Sequence, residues 1–139
     1  MSNLKLPAMD YANLCKLANK GTKWVKIGYH TWVRRDEESG HVVKIKHHNS
    51  IIANVSATKV WLYHHNYHTR TTANRLDRIL FANAGFHVGI KGGLLEVRYP
   101  NGEDSERLPS ECAFYTVRAI QAKARWAKRE ASEFVSGMI

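Results

Sequence analysis

The chain has no long apolar run. Stretches such as Ser50 to Thr58 are too short and too polar to cross a bilayer. Met1 to Lys20 lacks the continuous apolar core and small-residue cleavage site of a signal peptide. Only two cysteines are present, Cys15 and Cys112, far apart and each in a helical apolar pattern, so they read as buried, reduced thiols. No G-x-S-x-G, Walker glycine loop, H-E-x-x-H or H-x-E…C-x-x-C pattern occurs. Lys91-Gly92-Gly93 falls between two strand patterns and not before a helix, which makes it a hairpin turn. Glu103, Asp104 and Glu106 read as a solvated turn, not as an acid–base pair. These absences point to a non-enzymatic cytoplasmic protein with no cofactor and no membrane partner.

What is abundant is positive charge. The 139 residues carry a net +9, with 44% hydrophobic and 24% charged side chains, the balance of one soluble globular domain. The excess is uneven: residues 1–35 hold seven basic side chains against one acidic, while residues 36–110 hold nine against eight. A basic surface draws nucleic acid or an acidic protein surface through long-range attraction.

The periodicities predict an α+β fold: an antiparallel β-meander or curled sheet of about six or seven short strands with three helices, the longest C-terminal. A helix over 8–19 starts at Asp10 and stops at Gly21. Strand patterns fill 23–108, broken by turns at 36–40, 49–50 and 56–57. A helix over 72–83, capped by Thr72, is inserted in the sheet, with Gly85 past its end. The last helix is expected over 110–135, because Ala113, Val117, Ile120, Ala124, Ala127, Ala131 and Phe134 alternate four and three apart. That seam packs on the sheet or pairs two copies, so monomer and homodimer both stay open.

The most specific stretch joins a strand, Lys59 to Tyr63, to the middle helix. It reads Tyr67, Thr69, Thr71, Thr72, Arg75, Leu76. This strand followed by a T-x-T-T-x-x-R-L helix start resembles a family of small, largely uncharacterised tailed-bacteriophage proteins. Upstream, Thr31 with Arg34 and Arg35, then His48 before Ile51, fit the same pattern. The resemblance covers roughly residues 23–99 and leaves out the His64, His65, His68 patch and the C-terminal helix. It implies a phage origin, an α+β fold and the host cytoplasm, with no established activity. A small phage protein of this kind either binds nucleic acid or inhibits a host defence or takeover target, in the manner of an anti-CRISPR-like protein.

Three groups of residues are candidates for binding. Thr69, Arg70, Thr71, Thr72 and Arg75 gather hydroxyls, helix-start N–H groups and two guanidinium ions, a set suited to a backbone phosphate. Arg75 is unfavourable near a helix N-terminus unless an anion lies there, and Asp77 is the internal rival for that role. Arg34 and Arg35 follow Trp32, and Arg118, Arg125 and Arg129 share one helix face beside Trp126. Rings interleaved with cations, as in Trp24-Val25-Lys26, suit single-stranded nucleic acid, although core packing competes for Trp24, Trp32 and Trp61. Finally, the His-His-Asn echoes at 47–49 and 64–66 raise a histidine-dependent metal nuclease, with His48, His65 and His68 as candidate ligands. No carboxylate lies in that patch, and adjacent histidines on a strand point to opposite faces.

Overall fold

The computed structural model describes residues 5–19 and 22–122. Helix α1, Tyr11–Ala18, is shorter than the expected 8–19. Asp10 caps it by accepting the Asn13 N–H at 3.2 Å, and Leu14 and Ala18 face the core. Five antiparallel strands follow as a meander: β1 Val25–Gly28, β2 Thr31–Arg35, β3 Val43–His47, β4 Ser50–Val55 and β5 Lys59–Tyr63. Their alternation is nearly strict. Val33, Val43, Ile45, Ala53, Val55, Val60 and Leu62 are buried on one face, while Trp32, Arg34, Lys44, Lys46, Asn54 and Trp61 are half-buried on the other.

Helix α2, Arg70–Ala84, is capped by Thr69, whose hydroxyl accepts the Thr72 N–H at 3.3 Å. The cap therefore lies three residues before the expected Thr72, which is itself buried in the first turn. Gly85 closes the helix in the left-handed region (φ 80°), as expected of a glycine in that place. Strands β6 His87–Lys91, β7 Leu94–Arg98 and β8 Ser105–Arg107 make a second, three-stranded sheet, with Gly92 and Gly93 at positive φ in the β6–β7 turn. Asp77 of α2 accepts the Val88 N–H at 2.9 Å and pairs with His87 at 2.8 Å, which fastens β6 to the helix.

The chain then returns to the large sheet. Residues 111–115 were expected to open the C-terminal helix; they form strand β9, Glu111–Tyr115, paired antiparallel with β5. The alanine spacing is real, but the edge of β5 offers a row of backbone donors and acceptors that need partners. Cys112 and Phe114, two apart, then bury on the core face opposite Leu62 and Val60. Helix α3, Val117–Ala122, begins only after Thr116, whose hydroxyl accepts the Ala119 N–H at 3.1 Å and donates to Ala57 O at 2.7 Å. The remainder of the expected helix, 123–135, lies outside the described residues. Among those described, α2 is the longest helix at 15 residues.

The architecture is thus α+β, with a six-stranded antiparallel sheet in the order β1-β2-β3-β4-β5-β9, a small sheet of three, and three helices among the described residues. Nine strands replace the expected six or seven. Helix α1 packs on β1 to β3 and α2 on β4, β5 and β6. Asn83, buried in α2, ties the two helices by donating to Met9 O at 2.8 Å and accepting the Tyr11 N–H at 2.9 Å.

Candidate functional site

The entry to α2 opens a cavity of about 370 Å³ lined by Thr69, Thr71, Thr72 and Tyr67 on one side and by His47, His48, Asn49 and Ser50 of the β3–β4 turn on the other. The sequence motif thus meets the first His-His-Asn echo in space. Three threonine hydroxyls form a connected set, Thr69 Oγ1 lying 3.2 Å from that of Thr71 and 3.0 Å from that of Thr72. Arg70 is exposed beside them.

Arg75 does not line this cavity. It lies behind it, 2% exposed, in the second turn of α2. Its Nε–H donates to Thr31 Oγ1 at 2.8 Å, Nη1 to Thr71 O at 3.0 Å and Nη2 to Tyr29 O at 2.7 Å. The guanidinium therefore straps the helix to the β1–β2 turn. Asp77, the expected internal partner, is engaged with β6 instead. All three acceptors of the Arg75 guanidinium are neutral, and no ion pair among the described residues reaches Arg75. The neighbouring imidazoles register that charge. His47 is pushed down to about 4, first by burial and then by Arg75, His48 and His30. His30, stacked on His48 with centroids 4.3 Å apart, is lowered by desolvation and then by His48.

A second candidate surface is the outer face of the large sheet. Trp24, Trp32 and Trp61 all lie half-buried there, and none joins the core. Cross-strand register sets Lys26, Trp32 and Lys46 in one row, and Arg34, Lys44, Asn54 and Trp61 in the next. The cations sit over the rings: Lys46 Nζ is 4.4 Å from the Trp24 centroid and 5.0 Å from that of Trp32, and the Arg34 guanidinium is 4.9 Å from Trp24. Arg34 also pairs with Glu37, and Lys44 with Asp36, both at 2.9 Å, whereas Lys26 and Lys46 have no carboxylate partner among the described residues. Two buried polar atoms without a partner, Arg34 Nε and Asn54 Oδ1, fall in the second row. Lys44 and Lys46 went unselected in the sequence, although the alternation Val43-Lys44-Ile45-Lys46 places both on this face.

The other candidates are spread out. Arg35 closes the end of α1, donating to Cys15 O at 3.1 Å, to Asn19 O, and to Gly40 O at 2.9 Å in the β2–β3 turn, so its donors are committed to architecture. Arg118 is exposed on α3. Arg125, Trp126 and Arg129 lie outside the described residues. The three candidate metal ligands, His48, His65 and His68, are engaged separately. His48 lines the α2-entry cavity, His65 Nε2 bonds Ile51 O at 2.7 Å, and His68 Nδ1 accepts the Leu95 N–H at 3.0 Å. Among the described residues, no group of three His, Cys, Asp or Glu side chains is placed to hold a metal ion. His64 is buried, with Nε2 on Leu108 O at 3.0 Å and Nδ1 accepting the Asn66 N–H at 2.9 Å, so both nitrogens serve the loop. Burial raises the Cys112 thiol to about 12, which disfavours its thiolate form.

The model of the Kyanoviridae Gp96 protein family matches residues 9–139. The chain belongs to this phage protein family. The match extends beyond the expected span of residues 23–99 at both ends, and it takes in the histidine patch and the C-terminal segment that the resemblance left out. No curated protein and no solved structure matches the chain significantly. No helix among the described residues is long and apolar enough to cross a membrane.

Proposed function

We propose that this phage protein binds single-stranded nucleic acid on the outer face of its six-stranded sheet. The observation that carries the reading is the Trp24–Lys46–Trp32–Lys26 stack with Arg34 at its edge. Indole faces offer sequence-tolerant stacking, worth about 1–3 kcal/mol per base, and the interleaved cations follow the phosphates. Sheets bind bases in this way because alternate side chains of adjacent strands share one face and form a platform on which splayed bases stack. The net +9 of the chain adds long-range attraction. Lys26 and Lys46 neutralise no carboxylate among the described residues, so their charge is available to a polyanion.

Binding of a labelled unstructured oligonucleotide over a salt series tests the reading. The protein should bind at low salt with a log–log salt slope, and Lys46→Gln should weaken binding alike for all sequences and flatten that slope by about one unit. Absence of oligonucleotide affinity at low salt, together with capture of a host protein complex from nuclease-treated lysate, overturns it in favour of an inhibitor acting on protein.

A further inference from the structure

Strands β1 and β3 finish at the same end of the large sheet. The turns that follow them, Tyr29-His30 and His48-Asn49, lie side by side, and the His48 N–H donates to His30 O at 2.8 Å. Each turn holds a histidine in the left-handed region, His30 at φ 47° and His48 at φ 54°, a conformation uncommon outside glycine. The two imidazoles stack with centroids 4.3 Å apart, and Tyr29 meets His30 edge-on at 4.0 Å. His30 in turn lies 6.4 Å from Trp32 of the sheet face. The row in which Lys46 bridges Trp24 and Trp32 therefore continues past the strand ends as His30, His48 and Tyr29.

Core packing does not account for this end of the row. Tyr29 is 71% exposed, His48 is exposed, and neither joins the core. Neither turn holds an acidic residue, and Lys26 stands beside them with Nζ 5.9 Å from the Trp32 centroid. The turns are also braced: buried Arg75 donates to Tyr29 O and Thr31 Oγ1, and the buried His47 sets its ring 4.3 Å from that of His48. Rings fixed before binding lose little freedom when a base settles on them. We propose, resting on the sheet-face reading, that the bound single strand runs off the sheet over these turns, where Tyr29 and the His30–His48 pair stack the bases beyond Trp32. Ring faces of this kind accept any base, so the extension lengthens the site without adding sequence preference.

The test uses the full chain with carbon-13 in its aromatic side chains, titrated at low salt with an unphosphorylated thymidine oligonucleotide of about twelve nucleotides, a length within the range such surfaces accept. The Tyr29 and His48 ring resonances should shift saturably, on the same isotherm as those of Trp24 and Trp32. Tyr29→Ala keeps the carbonyl that Arg75 uses but removes the ring, and should lower affinity about fivefold or more, the loss of one stacked base. Tyr29→Phe keeps the ring and should keep the affinity. His48→Asn should weaken binding too, because asparagine tolerates the left-handed backbone there while removing the imidazole. Saturable shifts at Trp24 and Trp32 with the Tyr29 and His48 rings unmoved overturn the extension and leave sheet-face binding standing. Affinity unchanged in both Tyr29→Ala and His48→Asn does the same. Absence of any binding at low salt overturns the extension and the sheet-face reading together.

Discussion

Arg75 shows how one buried side chain ties distant parts of the fold together. Its three hydrogen bonds join α2 to Tyr29 and Thr31, residues more than forty positions away in the chain. Arg75→Met keeps the volume but removes all three hydrogen bonds, those that strap α2 to the β1–β2 turn among them, and urea unfolding should show a loss of about 2–4 kcal/mol. His47 makes the fold acid-sensitive. Burial holds its folded pKa at about 4, below the ordinary imidazole value of about 6.5, so the unfolded chain takes up the proton first. Its contribution is complete above about pH 6.5 and is lost as pH falls towards 4, by up to about 3 kcal/mol. His64, lowered chiefly by burial, acts in the same direction. Denaturation midpoints measured from pH 7.5 to 4.5 should fall with acid, and His47→Gln should flatten that fall.

At the scale of elements, the meander, α2 and the glycine hairpin were legible because each is written locally, in alternation, helical spacing or turn residues. Strand β9 was not. Ala113, Val117 and Ile120 satisfy a helical seam, and what decides for strand is the unfilled edge of β5, a partner that local spacing does not reveal. The cap of α2 was misplaced for a related reason. Thr69, Thr71 and Thr72 all suit an N-cap by type, and only the extended backbone of Thr69 (φ −118°, ψ 156°) selects it. Thr116 marks the switch from β9 to α3 and holds it from both sides. Thr116→Val should cost about 1–2 kcal/mol in thermal or urea unfolding. Under native exchange, the Cys112 and Phe114 amides, which face β5, should be slow as strand amides, with Ala119 faster in the variant than in the wild type.

For the molecule as a whole, the sequence revealed the charge, the interleaving of rings with cations, and the phage kinship, but not the surface they compose. Trp24, Trp32 and Trp61 are 37 residues apart at most, and only the cross-strand register turns them into one face with Lys26, Lys44 and Lys46. The same register separates Arg34, which joins that face, from Arg35, which caps α1. Likewise the Thr69–Thr72 motif and His47-His48-Asn49 lie over twenty residues apart, and their convergence on one cavity follows from the β3–β4 turn reaching α2. The central claim is that the outer face of the large sheet is where nucleic acid lies. Its most direct measurement is the indole N–H resonances of Trp24, Trp32 and Trp61, followed while an unphosphorylated single-stranded oligonucleotide is added. Saturable shifts at Trp24 and Trp32 are expected, tracking one binding isotherm and abolished at the neighbouring indole by Trp32→Ala. Binding that saturates while Trp24 and Trp32 stay unshifted would contradict it.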